Sequence, residues 1–171
     1  MTVMACPSLH LVVFRRMSAD DLPAVAAIEQ QIYTHPWTPG NFSDSLNSGY
    51  ECWVMEREGR LLAYAVVMTA AGEAHLLNIS VHADWQRQGL GTAMLHFVCK
   101  LAMDYRAPTM FLEVRASNDG ARMLYRREGF SEIGLRKGYY PAGAPGQASR
   151  GDAITMAKPL AEVLAEAGGT P

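Results

Sequence analysis

A glycine-containing turn constrains this chain more than any other segment. It is formed by Gln86, Arg87, Gln88, Gly89, Leu90, Gly91 and Thr92. The turn follows an apolar, strand-like run at residues 76–81 and leads into a long helical pattern that begins near Gly89. Glycine has no Cβ, so the backbone can approach a ligand closely, and the first N–H groups of the helix point outward at the positive end of its dipole. This arrangement predicts an anion site that suits a diphosphate.

The glycine pair alone is a weak signal. The Rossmann fingerprint requires a third glycine where this chain has Met94. The phosphate-binding loop of nucleoside triphosphatases requires Gly-Lys-Ser/Thr, which does not occur here. A turn that merely starts a helix is the alternative interpretation. Other parts of the sequence must therefore decide between the two.

Composition indicates one compact domain, expected over residues 10–160, with an N-terminal extension at 1–9 and a flexible tail at 161–171. The 171 residues are 49% hydrophobic and 19% charged, which is enough to bury a sizeable core. With a net charge of -2, nothing argues for a nucleic-acid or anionic-membrane surface and neither partner is expected, although a local patch is the alternative. The longest apolar run, residues 61–71, is too short to span a bilayer, so we expect a cytoplasmic protein.

Cysteine and histidine spacing favours neither disulfides nor a metal site. The three cysteines are widely spaced without a Cys-x-x-Cys pair, which is typical of free thiols in a reducing compartment. The five histidines show no His-x-x-x-His spacing, so no metal is expected.

Periodicity and turn signals predict an α/β (α+β) fold. Strands are expected at residues 10–16, 51–57, 61–69, 73–81, 109–115, 131–139 and 152–158. Helices are expected from Ser18 to about Ile32, at 41–46, after the glycine turn, and from the Asn118 cap to Gly129. In the long third helix, the inner face is expected to carry Leu90, Met94, Phe97, Val98, Leu101 and Tyr105. The predicted architecture is thus a mixed, mostly antiparallel seven-stranded sheet flanked by about four helices, with a long flexible connection at 141–149.

Four sequence blocks at consistent spacing carry a family resemblance. They are His35-Pro-Trp-Thr, Leu77-Asn-Ile-Ser-Val with Gln86-Arg-Gln-Gly-Leu-Gly, Leu112-Glu-Val-Arg-Ala-Ser-Asn, and Tyr139-Tyr-Pro with Asp152-Ala-Ile-Thr-Met. With the order of elements, these blocks resemble the GNAT superfamily of acyl-CoA-dependent N-acetyltransferases. Over about residues 11–160 the chain is similar to the bacterial ribosomal-protein-alanine N-acetyltransferases within it. It departs from them in its extra N-terminal residues, its longer tail, and Trp85 in place of a smaller aromatic residue.

The resemblance implies acetyl-CoA as the acyl donor. Its diphosphate would bind the backbone of Arg87, Gln88, Gly89, Leu90, Gly91 and Thr92, and its pantetheine arm would pair with Ile79, Ser80 and Val81. Asn118 matches a position that contacts the pantetheine arm. Backbone N–H groups near Val81 would polarise the acetyl carbonyl, provided that the parallel pairing to the next strand opens at this end. The Arg87 side chain either adds charge beside the diphosphate or is an ordinary solvated arginine.

Two side chains are candidates for proton transfer. Glu113 lies in the apolar segment Phe111-Leu-Glu-Val, where a carboxylate is costly unless it faces solvent, a partner or a cleft, and it is the candidate base. Outward alternation on a half-exposed strand is the alternative. Tyr125 lies two turns after Asn118 on the same helix face and is the candidate acid for the departing thiolate, with a plain core tyrosine as its alternative.

The acceptor is the harder question. At neutral pH roughly a tenth of an α-amine but under about a thousandth of a lysine is neutral, so an α-amine needs only a modest base. The resemblance places Tyr33, Trp37, Tyr139 and Tyr140 in two loops beside the acceptor mouth, although packing of each loop onto a helix is the alternative.

We therefore predict an N-alpha-acetyltransferase that acts by direct transfer on a protein N-terminus, which by resemblance is the N-terminal alanine of a small-subunit ribosomal protein. A monomer or weak dimer is expected. The alternatives are a small-molecule amine or lysine acetyltransferase and a non-catalytic acyl-CoA-binding sensor.

Overall fold

The structure is a computed structural model that describes residues 2–6, 9–144 and 149–160. The strands are β1 Thr2–Cys6, β2 Leu9–Arg16, β3 Glu51–Arg57, β4 Arg60–Ala70, β5 Glu73–Val81, β6 Thr109–Arg115, β7 Ser131–Pro141 and β8 Arg150–Pro159. The α-helices are α1 Leu22–Ile32, α2 Pro39–Asn47, α3 Leu90–Asp104 and α4 Asp119–Arg127, and short 3-10 turns occupy Ala19–Asp21 and Ala83–Trp85. The predicted flexible tail lies outside the described residues.

The predicted fold class is confirmed. The strands follow the order β1-β2-β3-β4-β5-β6-β8-β7, with a parallel β5–β6 pair and antiparallel pairs at β1–β2, β2–β3, β3–β4, β6–β8 and β7–β8. All seven predicted strands are present. The additional strand β1 forms within the predicted N-terminal extension, where Thr2 pairs with Phe14 and Val3 with Val13.

The chain divides into two compact units, and each of the strand pairs just named is formed within one of them. The first unit falls within Met1–Val67 and Asn78–His96, and the second within Met68–Leu77 and Phe97–Pro171. A cluster of buried side chains forms the core of the first unit: Met17, Val25, Ile28, Phe42, Cys52, Val54, Tyr64 and Val66.

In the second unit, β8 lies between β6 and β7. Glu113 of β6 is opposite Thr155 of β8, whereas Leu135 of β7 is opposite Ile154. Strand β6 alternates strictly between buried and half-buried positions. Since successive side chains point to opposite faces of a sheet, one face of β6 packs inward and the other is partly open.

The ends of α3 and α4 are set by left-handed residues. At α3, the N–H of Arg106 donates to the Met103 carbonyl at 2.8 Å and the N–H of Ala107 donates to the Ala102 carbonyl at 3.0 Å, with Arg106 at φ 59°. This pair of bonds closes a helix end at a left-handed residue. Because α3 ends at Asp104, Tyr105 lies beyond the helix and does not join its buried face. Its side chain is 48% exposed, so its predicted inward placement is wrong. The same bond pattern at Gly129, φ 93°, ends α4 as predicted.

Candidate active site

The glycine turn lies in the first unit, at the N-terminus of α3. Arg87 and Gly89 both adopt left-handed backbone conformations, with φ of 58° and 81°. A Cβ built on Gly89 would meet no atom within 4 Å, so its backbone conformation, and not crowding, is what favours glycine there. Arg87, Gln88 and Gly89 are exposed, whereas the Leu90 side chain is buried and holds the start of the helix against the core.

The turn leads directly into the first main-chain donors of α3. The first bond of the helical ladder runs from the N–H of Ala93 to the carbonyl of Gly89, at 3.0 Å. The N–H groups of Leu90 and Gly91 lie in the first turn of the helix, at the positive end of its dipole. Such a terminus can hold the oxygens of a diphosphate. Immediately upstream, the Arg57 guanidinium stacks 4.5 Å from the centroid of the Trp85 ring, so the larger aromatic residue has a packing role.

Strand β5 carries Ile79, Ser80 and Val81 at its C-terminal end. The parallel ladder to β6 runs from Ala74 with Met110 to Leu76 with Leu112. The opening of this pairing beyond the ladder, which oxyanion stabilisation requires, stays a prediction.

A buried carboxylate that sequence reasoning missed lies in the same unit. Glu29 of α1 is 2% exposed, and its Oε1 accepts a 3.0 Å bond from the backbone N–H of Trp37. Its Oε2 accepts a hydrogen bond from the Tyr64 hydroxyl. The Asn78 side-chain amide donates to both oxygens, at 3.3 and 3.2 Å. Burial and the adjacent Glu29 charge raise the pKa of Tyr64, so its hydroxyl remains a donor.

A sequence signal for Glu29 did exist. Leu22, Val25 and Ala26 define the inner face of α1, and Glu29 falls three to four residues further along the same face. A carboxylate at such a position must find hydrogen-bond donors if the helix packs inward.

Tyr33 and Trp37, the two predicted acceptor contacts of this unit, lie in the loop between α1 and α2. The Tyr33 hydroxyl bonds to Ser80 Oγ at 2.9 Å and donates to the Ile79 carbonyl at 3.4 Å. The Trp37 ring packs against Phe42 of α2 at 5.2 Å between centroids. The alternative of packing onto a helix therefore applies to the Trp37 ring, while the Tyr33 hydroxyl is joined to β5.

Glu113, the predicted base, lies in the second unit on the half-exposed face of β6. Its side chain is 23% exposed, and Oε1 pairs with the Arg136 Nε of β7 at 3.1 Å. Outward alternation on the strand and a partner both explain how the carboxylate is tolerated. Arg136 was not foreseen. Its ion pair with Glu113 reaches across β8, which lies between β6 and β7, and such a contact has no local sequence signal.

Tyr125 and Asn118 are both on the second unit's helix α4. Asn118 is the N-cap, and its Oδ1 accepts a 3.2 Å bond from the N–H of Ala121. Tyr125 is 7% exposed, and its ring makes an edge contact with Phe130 at 5.7 Å. The predicted cap is confirmed, and the predicted burial of the Tyr125 ring agrees with the structure.

Two tyrosines and two arginines form a cluster beside Glu113. The rings of Tyr139 and Tyr140 meet edge to face at 5.0 Å. The Arg136 guanidinium lies 5.1 Å from the Tyr139 ring, and the Arg115 guanidinium lies 4.5 Å from the Tyr140 ring. Burial, and then the negative charge of Glu113, raises the pKa of Tyr140 to about 12. The second unit thus brings Glu113 together with both predicted acceptor tyrosines.

The described ranges hold neither a metal-ligand cluster nor a membrane-spanning helix. Residues 2–6, 9–144 and 149–160 contain no group of three or more His, Cys, Asp or Glu side chains arranged to hold a metal ion. None of the helices in that part of the chain is long and apolar enough to cross a membrane.

Comparison with known proteins defines the class as an acyltransferase. The sequence model described as the acetyltransferase (GNAT) family matches residues 22–130, which include the glycine turn, Glu113 and Tyr125. The chain belongs to this family and is an acetyltransferase.

The chain is similar to named members of this family. The chain is 38% identical over 144 residues to the ribosomal protein bS18-alanine N-acetyltransferase of Escherichia coli K12, covering 84% of this chain and 95% of that protein. It is 31% identical over 145 residues to the Haemophilus influenzae protein of the same name, covering 85% and 97%. The crystal structure of the Escherichia coli ribosomal-protein-S18-alanine N-acetyltransferase matches with a TM-score of 0.79 at 36% identity, covering 87% of this chain and 94% of that one.

Proposed function

We propose that this protein transfers the acetyl group of acetyl-CoA to the α-amine of a protein N-terminus, and that its natural acceptor is the N-terminal alanine of a small-subunit ribosomal protein. The observation that carries the proposal is the 38% identity, over 84% of the chain, to an enzyme named for that acceptor. The chemistry agrees, since an α-amine has a pKa of about 8 and needs only a modest base.

Acetyl-CoA is the proposed donor because of the glycine turn. The N–H groups at the N-terminus of α3 suit a diphosphate, and the left-handed backbone at Gly89 shapes the turn that leads into this terminus. The end of β5 at Ile79, Ser80 and Val81 is proposed to pair with the pantetheine arm, and Asn118 is proposed to contact it.

The proposed reaction is a direct transfer within a ternary complex. The amine nitrogen attacks the thioester carbonyl carbon, so that a C–N bond forms and the C–S bond breaks. Glu113 takes the proton that the amine loses, through a water molecule, and Tyr125 donates a proton to the departing sulfur. Main-chain N–H groups near Val81 stabilise the negative oxygen that develops between these steps. Tyr33, Trp37, Tyr139 and Tyr140 are the proposed contacts of the acceptor peptide.

Release of the CoA thiol over an acceptor panel tests the acceptor. We expect turnover with a peptide that begins with alanine and none with the same peptide acetylated at its N-terminus. Turnover of spermidine, an aminoglycoside or a lysine side chain in place of the alanine peptide would contradict the proposal.

Two matched pairs of variants test the proton-transfer roles. Glu113→Gln and Tyr125→Phe are expected to lower kcat by about 10² or more while acetyl-CoA binding persists. Glu132→Gln is the control for the first, because Glu132 is also paired with arginine, at 2.9 Å from Arg122. Tyr105→Phe is the control for the second, as it removes a hydroxyl from an exposed ring. Equal kcat in each variant and its control would remove Glu113 and Tyr125 from the mechanism.

A further inference from the structure

Glu29 has no role in the reaction described above, yet it is among the few charged side chains buried in this structure. We propose that Glu29 is a positioning residue for the acceptor: its carboxylate sets the conformation of the α1–α2 loop, residues 33–38. The inference rests on the proposed function, because that loop carries the acceptor contacts Tyr33 and Trp37.

Glu29 bonds to the loop at two points. Its main-chain carbonyl accepts a 3.0 Å bond from the N–H of Tyr33, where α1 ends. Its side chain accepts the 3.0 Å bond from the N–H of Trp37, four residues further on. A single residue therefore holds both ends of the segment 33–37, and the second attachment depends on the carboxylate alone.

The same carboxylate is connected to the strand proposed to bind the pantetheine arm. The Asn78 amide donates to Glu29, the Ser80 hydroxyl donates to the Asn78 side-chain Oδ1 at 3.4 Å, and the same hydroxyl bonds to the Tyr33 hydroxyl at 2.9 Å. A chain of side-chain hydrogen bonds thus runs from the Trp37 main chain through Glu29 to the Tyr33 hydroxyl. Such networks stabilise one arrangement when every member is satisfied.

Neutral hydrogen-bond donors satisfy the Glu29 carboxylate. Within the described residues, no Lys, Arg or His forms an ion pair with it; its partners are a backbone N–H, a hydroxyl and an amide. A methionine at this position fills similar space but accepts none of these bonds, which leaves the Trp37 N–H without its acceptor. A glutamine retains one carbonyl oxygen and can keep part of the network.

Steady-state constants with an alanine-starting peptide test the inference. Glu29→Met is expected to raise the peptide KM about tenfold or more, and Glu29→Gln less, while kcat and the acetyl-CoA KM stay within about threefold. Glu51→Met is the matched control: Glu51 is a second buried carboxylate of the same unit, 6% exposed, whose partners are Arg16 and Trp53. It is expected to lower thermal stability without changing the peptide KM.

Amide hydrogen exchange at Trp37 gives a readout that needs no substrate. We expect faster exchange at this amide in Glu29→Met than in the wild-type protein or in Glu51→Met. Unchanged exchange, an unchanged peptide KM in folded Glu29 variants, or an equal rise in the acetyl-CoA KM would each overturn the inference. Failure of the proposed function is distinct, because it shows in the wild-type protein as absence of turnover with the peptide; the exchange measurement still decides the role of Glu29 in that case.

Discussion

Replacement of Gly89 by alanine tests how much the left-handed backbone conformation of this residue contributes to the glycine turn. Gly89 has φ 81°, and a Cβ at this position would meet no atom within 4 Å, so the substitution introduces no clash. The cost is conformational and amounts to about 1–2 kcal/mol for a non-glycine residue in the left-handed region. The protein can accept this cost in two ways.

If the turn keeps its conformation, stability falls by that amount, which corresponds to a decrease in Tm of about 2–8 °C for a chain of this size. If the turn relaxes instead, the conformation that binds the diphosphate becomes the minor one. Acetyl-CoA then binds about 5- to 30-fold more weakly, since about 1.4 kcal/mol corresponds to a factor of ten. We expect the second result, because the exposed residues around Gly89 leave the turn free to rearrange.

Gly59→Ala is the matched control. Gly59 has φ 75°, and a Cβ there also has open space, but the residue lies in the β3–β4 hairpin. Calorimetric titration with acetyl-CoA should show weaker binding for Gly89→Ala only. The difference should disappear with acetyl-pantetheine, which lacks the diphosphate. Wild-type affinity in a Gly89→Ala protein whose Tm is also unchanged would mean that the turn has relaxed without affecting binding, and it would refute the idea that this backbone binds the diphosphate.

Three further outcomes follow from buried groups. Tyr64→Phe removes a donor from the buried Glu29 carboxylate and should cost about 1–3 kcal/mol in urea unfolding; a loss below about 0.5 kcal/mol would contradict the network. Because the folded-state pKa of Tyr140 is raised to about 12, from about 10 when unfolded, its contribution to stability is complete below pH 10 and is lost as pH rises towards 12. The wild-type protein should therefore lose more stability over that interval than Tyr140→Phe, and parallel curves would refute the shift. Burial and the Glu51 charge raise the pKa of Cys52 to about 11, so iodoacetamide at neutral pH should modify this thiol only after unfolding, as mass spectrometry would show.

Local chemistry allowed several elements to be predicted from the sequence. The Asn118 cap, the glycine stop at Gly129 and the bounds of β5 and β6 agree with the structure, because caps, helix ends and alternation involve residues close together in the chain. One helix end was nevertheless not predicted. Arg106 ends α3 in a left-handed conformation without a glycine, and this places Tyr105 outside the buried stripe.

The sequence by itself determined the family, and it singled out the residues proposed to carry the chemistry: the glycine turn and the carboxylate in an apolar strand. Only the tertiary structure decided the partners of those residues. Glu29 meets Tyr64 and Asn78, which are 35 and 49 positions away, and Glu113 meets Arg136 across β8, which lies between their strands. The physical reason is that a buried charge requires donors but does not specify where in the chain they come from, so many partner sets satisfy it equally until packing selects one.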